Sequence, residues 1–285
     1  MGFAGYAIFS GGDALIKHSG ATANVFVIGF FVTLFSAIPW LVFHRPDERW
    51  STIFETRRTL LVNARGVTGV IASMMSIYAF TNLPIAEAYA LIFLIPFSIT
   101  VFSILFLKEQ VNWQRWATLA IGFVGIMLVV RPGFREVTLA HAAGVGVAIF
   151  GGLSVVLTRE LSRTESRQSL MAALLGYLII AYFTMMMIAG FRMPSGGTML
   201  ALFAAGLCSG CGHLLIIGGL NRAPANRVGA TQYTQILWAV ILGAVFFSEF
   251  PDAFTYLGLG VVGLSGILAF LGTEPAASPR PNPAE

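Results

Sequence analysis

Ten predominantly apolar runs joined by short polar connections constrain this chain more than any other feature. They fall at about 2–18, 22–43, 60–80, 85–107, 115–130, 139–158, 169–190, 197–219, 226–248 and 254–272. Most reach the ~20 residues that an α-helix needs to cross ~30 Å of hydrocarbon. Backbone in hydrocarbon must satisfy its own hydrogen bonds, which leaves helices and closed barrels. A barrel would show alternating segments of ~10 residues, and the sequence has none. With 56% hydrophobic and 11% charged residues and a mean hydropathy of +0.80, the chain has well under the ~25% charge of a soluble domain. The fold class is therefore an all-α polytopic membrane protein of ten transmembrane helices.

The runs also repeat. Phe106-Leu107-Lys108-Glu109 returns 140 residues later as Phe246-Phe247-Ser248-Glu249, Leu83-Pro84-Ile85-Ala86 as Ala223-Pro224-Ala225-Asn226, and Gly11-Gly12 as Gly151-Gly152. Gly122 and Gly125 return with a one-residue shift as Gly263 and Gly266. Five helices per copy is an odd number, so the second copy enters the membrane inverted, the architecture of transporters with a site at the repeat interface. The expected units are 1–135, 136–272 and a disordered cytoplasmic tail, 273–285, carrying four prolines.

Basic residues orient the chain. With the N-terminus in the cytoplasm, twelve (Arg45, Arg49, Arg57, Arg58, Lys108, Arg115, Arg159, Arg163, Arg167, Arg222, Arg227 and Arg280) lie inside and four (Lys17, Arg131, Arg135 and Arg192) lie outside. Both termini are expected inside, in the plasma membrane. The net charge of +4 is thus a topology signal and not a nucleic-acid footprint. Ala21-Thr22-Ala23 has the form of a signal-peptidase site, but no basic segment precedes it and cleavage would remove the partner of the sixth span. The first span is expected to be retained, and its short N-terminal side leaves an upstream natural start open.

Polar groups within spans cost free energy unless they face a cavity or a partner. Asp13 and Lys17 lie one turn apart on the first span, and Glu87 sits at similar depth on the fourth. Arg65 lies near the inner end of the third span, where it could also snorkel to lipid phosphate. Gln232 and Gln235 share a face of the ninth span with Trp238. His213 lies in the inner half of the eighth. The candidate substrate contacts are Asp13, Lys17, Tyr78, Glu87, His213, Gln232, Tyr233, Gln235 and Trp238. Asp13, Lys17 and Glu87 are expected to form an outer charged cluster. Candidate coupling or gating positions are Asp13, Glu87, Arg65 and Pro96, the proline because it frees a carbonyl in mid-span. The polar inserts are not repeated: Lys17 corresponds to Leu157, Glu87 to Arg227, and Gln232 and Gln235 to Ile92 and Ile95. An asymmetric cavity in a symmetric frame suits an asymmetric small molecule.

Other features read as packing. Cys208 and Cys211 have CxxC spacing, but a metal or redox site needs more ligands, and no metal or cofactor is expected. Gly258, Gly260, Gly263 and Gly266, with Gly122 and Gly125, let helices approach closely. They would brace the bundle or form a homodimer seam. Glu109 and Glu249 read as turn braces.

The stretch from Tyr78 to Gly133, with its Leu83-Pro84-Ile85-Ala86-Glu87-Ala88 turn, Pro96, Glu109 turn, Gly122/Gly125 helix and Arg131-Pro132-Gly133, closely resembles the drug/metabolite transporter superfamily, specifically its EamA-type members. The second half carries weaker counterparts, and the cytoplasmic segment before the first span is shorter than the family's pattern. The resemblance implies two inverted five-helix repeats, cytoplasmic termini and alternating access around a central cavity. Function is expected to be secondary-active transport of a small polar or amphipathic metabolite (amino-acid-, vitamin- or nucleoside-like), with a proton as one coupling option. The partners are then a small-molecule substrate and the bilayer. A channel-like facilitator is the alternative. An intramembrane enzyme would need paired catalytic groups at one depth, whereas Glu87 and His213 are several turns apart. Any driving force is a gradient, since no ATP-binding motif is present.

Overall fold

A computed structural model describes residues 1–43, 56–108, 110–131, 136–220 and 231–271. Its helices are α1 (Gly2–Ser19), α2 (Val25–Val42), α3 (Thr59–Asn82), α4 (Ile85–Ile92), α5 (Ile95–Leu107), α6 (Trp113–Val130), α7 (Leu139–Leu161), α8 (Arg167–Ile188), α9 (Gly196–Leu220), α10 (Gln235–Phe247) and α11 (Ala253–Leu271). A 3₁₀ turn, Thr231–Thr234, leads into α10. No strand occurs among the described residues. Among the described residues, seven helical segments, counting Ile85–Leu107 as one, are long and apolar enough to cross a membrane.

Polar residues of the connections start these helices. Asn24 accepts from the backbone N–H groups of Phe26 and Val27, Asn112 from Gln114 and Ser166 from Ser169. Each satisfies donors that a helix start leaves open. The repeated Lys108 and Ser248 share another device: both are left-handed C-caps, with φ of 53° and 54°. A left-handed residue ends the helix sharply and turns the chain back, which aims Glu249 at neighbouring helices. Glu109 and the tail lie outside the described residues, as do the second copies of the proline turn and Arg227.

The fourth span is not one helix. It breaks at Phe93 and Leu94 because Pro96 offers no N–H to the carbonyl four residues before it. At the matching place of the ninth span, the 3₁₀ turn Thr231–Thr234 passes into α10. Phe93 and Tyr233, 140 positions apart, stack there with centroids 5.2 Å apart and planes 7° from parallel.

Packing is reciprocal between the halves. α1 lies along α9 as α3 lies along α7, α5 packs on α7 as α10 packs on α1, and α2 meets α8. α6 packs against α11, where a Cβ on Gly125 would stand 2.8 Å from the Gly258 carbonyl oxygen. These small residues brace one chain internally. Burial is inverted relative to a soluble protein: Leu60, Ile188 and Phe250 are exposed, while Arg65, Glu87, His141 and Gln235 are buried.

Candidate functional site

The charged groups near the Ser19–Val25 end, which charge counting places outside, are engaged in separate pairs. Lys17 Nζ lies 2.5 Å from the Glu249 carboxylate and donates to the Leu83 carbonyl at 2.5 Å. Glu249 also accepts the Ile85 N–H at 3.0 Å, capping α4, and Lys17 lies over the Phe247 ring. One ion pair thus ties α1 to the α3–α4 and α10–α11 turns. Beside it, Arg131 pairs with Asp252 and joins the end of α6 to the start of α11.

Asp13 does not pair with Lys17. Its carboxylate accepts from the Tyr89 hydroxyl, whose oxygen also lies 3.2 Å from Ser10 Oγ and accepts from Gln235 Nε2 at 3.3 Å. The network joins α1, α4 and α10 deep in the bundle. Glu87 sits 3.5 Å from His141 Nε2 on α7, and His141 Nδ1 accepts the Thr138 N–H at the α7 capping box. The expected cluster of Asp13, Lys17 and Glu87 is therefore three pairs. Each charge has found a partner elsewhere in the bundle, Tyr89 on α4, Glu249 in the α10–α11 turn and His141 on α7, which costs less than holding like charges together.

Arg65 is also a connector and not a lipid-facing group. It is 6% exposed and donates to Thr158 Oγ1 at 2.5 Å on α7 and to the Leu170 carbonyl at 2.6 Å on α8. Outside the spans, Asp252 accepts from the Thr255 N–H and hydroxyl and from Arg131, which hold its carboxyl well below the ordinary range.

The main cavity lies elsewhere, between α1, α2, α3, α8 and α9, with a volume of about 770 Å³. It runs from Ile16, Gly29 and Ile77 to Trp40, Phe43 and Gln168, at the end expected to face the cytoplasm. Of the nine predicted substrate contacts, His213 alone is among its described lining residues. Glu87 borders a smaller cavity of about 210 Å³ with Glu249 and Asp252. Gln235 joins the Asp13 network, Tyr233 stacks on Phe93, and Trp238 packs edge-on against Phe3 with its indole N–H buried and unpaired. Tyr78 packs against the core; Gln232 lies in the 3₁₀ turn. The carbonyl freed by Pro96 belongs to α4, which does not line the main cavity.

Tyr89, Ser10, Glu249 and His141 escaped the sequence reading as site residues. Tyr89 sits two residues from Glu87 in the proline-turn motif, and Glu249 was visible as a repeat mark. His141 carried no signal beyond being a histidine near a span end.

The family model of EamA-like transporters matches this chain twice, over residues 1–131 and 138–271. The chain belongs to the EamA-like transporter family. It is a multi-pass membrane transporter of small metabolites and not an enzyme. It is similar to an S-adenosylmethionine uptake transporter of Rickettsia felis, 23% identical over 89% of this chain and 85% of that one. A pseudopaline exporter of Pseudomonas aeruginosa is 26% identical over 93% of both. A riboflavin transporter of Rhizobium johnstonii is 28% identical over 78% of this chain and 71% of its own. A solved crystal structure at 16% identity covers 95% of both chains with a TM-score of 0.70, so the fold is shared.

Proposed function

We propose that this chain is a secondary-active transporter of the plasma membrane that works by alternating access, with both termini in the cytoplasm and residues 1–135 and 136–272 as the two inverted halves. The observation that carries the reading is the contrast between the ends of the bundle. The Lys17–Glu249–Ile85 clasp closes one end, while a cavity of about 770 Å³ reaches the other. With the termini in the cytoplasm, this contrast supports an inward-open state. Opening outward would break the clasp and close α1, α2, α3, α8 and α9 over the cavity, the rocking expected of inverted repeats.

Asp13 is the coupling group in this reading. It lies where α1, α4 and α10 meet, so a proton on its carboxylate alters the contact between the halves through Tyr89 and Gln235. The cargo is a small polar or amphipathic metabolite, of the breadth suggested by relatives named for S-adenosylmethionine, pseudopaline and riboflavin. Those names include an uptake transporter and an exporter, so the direction follows the gradient applied.

Flux in proteoliposomes tests the proposal. With a metabolite that binds the purified protein, an inward proton gradient is expected to drive accumulation above equilibrium, and a protonophore to abolish it. Equilibration at the same rate with or without the gradient would make the chain a facilitator and overturn the coupling.

A further inference from the structure

Resting on the reading of the main cavity as the cargo site, its wall chemistry narrows the cargo. No Asp, Glu, Lys or Arg occurs among the described residues that line it. Against those described residues an ion would shed water without meeting an opposite charge, at a cost of several kcal/mol. Thr33, Ser36, Ser73, Ser76 and Ser209 supply hydroxyls to the wall, and Phe9 and Trp40 supply aromatic surface. Two of those hydroxyls are spent within the protein: Ser36 donates to the Thr33 carbonyl at 2.8 Å and Ser73 bonds the Tyr182 hydroxyl at 2.7 Å.

His213 sets the sense of recognition. Its Nδ1 lies 3.1 Å from the Ser209 carbonyl on its own helix. A carbonyl can only accept, so Nδ1 carries the hydrogen and Nε2 of the neutral imidazole is an acceptor pointing away from that backbone. The Phe9 ring meets the imidazole edge-on at 4.8 Å and fixes its plane. A volume of about 770 Å³ suits a compound of drug-like size held by mainly apolar walls and a few oriented polar groups.

We propose that the cavity takes an uncharged heteroaromatic compound bearing ring N–H donors, one of which is accepted by His213 Nε2. The flat ring lies against the Phe9 and Trp40 side of the wall, and the hydroxyls of α2, α3 and α9 serve its polar edge.

The test is equilibrium binding to purified full-length protein with a fixed panel. The panel holds uncharged nucleobases, nucleosides, pteridines and alloxazines, their ring-N-methylated forms, and charged partners such as the nucleoside monophosphates and 5′-amino-5′-deoxyadenosine. At least one uncharged member is expected to bind with a Kd under about 1 mM and more tightly than its charged partners. Methylating its ring N–H is expected to weaken binding about fivefold, the worth of one hydrogen bond. In His213→Phe the unmethylated compound is weakened by the same factor, and methylation costs nothing further. His213→Gln, which keeps an acceptor, restores part of the loss. A charged partner that binds more tightly, a panel with no uncharged binder, or a methylation penalty unchanged in His213→Phe would overturn the proposal. Binding as expected without gradient-driven flux would leave this inference standing and remove the transport mechanism proposed above.

Discussion

α1 and α7 occupy corresponding places in the two halves, 140 residues apart, and differ where it matters. α1 presents Ser10, Asp13 and Lys17; α7 has Phe150, Leu153 and Leu157 at the matching positions. Both helices pack lengthwise on a helix of the other half, α1 on α9 and α7 on α3. Duplication kept the packing face and changed the polar one. α7 uses its own polar groups near its ends: His141 against Glu87, and Thr158 against Arg65. The lesson is that the frame is symmetric while its polar ties are not: the Lys17–Glu249 clasp and the Asp13 network each join the two halves on the α1 side, and a different pair, Arg58–Glu160, joins α3 to α7 at the opposite end.

Making α1 more like α7 should break the asymmetry, and most severely at Asp13. Asp13→Asn keeps size and a hydrogen-bond acceptor for Tyr89 but removes the titrating group. Gradient-driven uptake in proteoliposomes is expected to fall by about a hundredfold, the worth of a strong charge-assisted hydrogen bond. Substrate counterflow without a gradient should survive. Uptake and counterflow lost in parallel would mean that Asp13 serves substrate binding or folding and not coupling.

Lys17→Leu installs the α7 residue at the clasp. It leaves Glu249, a quarter exposed, without its cation, which favours states in which that carboxylate reaches water. In a Cys208→Ser, Cys211→Ser background, Ala86→Cys reports on the small cavity beside the clasp, which Ala86 and Glu249 both line. Its labelling by a membrane-impermeant maleimide is expected to rise about tenfold, less than for a fully buried pair. Adding Glu249→Gln should bring labelling part of the way back. Unchanged labelling in Lys17→Leu would show that the clasp does not hold this end shut.

Much of the frame was legible because membrane physics writes it in large letters. Run length gave the helices, and the 140-residue spacing brought out the matched C-caps at Lys108 and Ser248. Pro96 signalled the break in the fourth span. The site was less legible because side-chain pairing across helices leaves no periodic trace. Lys17 was expected beside Asp13 from helical spacing, yet Glu249, over two hundred positions away, offers it a carboxylate together with the Leu83 carbonyl. Depth along a span places a residue but not the direction it faces. That is why Gln235 and Asp13, at plausible depths, met in a packed network while serines that attracted no notice line the cavity.

The comparison sharpens where the halves meet each other most simply, at α6 and α11. A Cβ at Gly125 would come within 2.8 Å of one backbone oxygen, and a Cβ at Gly258 within 2.6 Å of the reciprocal one. Backbone cannot swing aside as a side chain can, so Gly125→Leu is expected to destabilise the protein by about 1–3 kcal/mol. Gly260, with nothing within 4 Å of its Cβ position, is the control, and Gly260→Leu should leave the melting temperature in detergent unchanged. Gly→Leu improves helix propensity, so equal losses in both would point to a contact between copies, rather than to the α6–α11 approach.

The smallest expected effect concerns Asp252, the exposed N-cap of α11, and carries a definite sign. Its carboxyl is held below the ordinary range by the Thr255 N–H and hydroxyl and by Arg131. A depressed folded-state value stabilises the fold above the unfolded carboxyl's pKa, about 4, and that contribution is lost as pH falls through the folded value. Asp252→Asn preserves the cap, since Asn is an equally good N-cap residue, and removes the charge facing Arg131. The variant should melt slightly below wild type at pH 7, and the gap should begin to shrink below about pH 4 as the unfolded aspartate takes up its proton. A gap of constant size from pH 7 to pH 3 would assign the loss to cap geometry, and the Arg131–Asp252 pair would then add nothing to the closed end that the Lys17 clasp does not already supply.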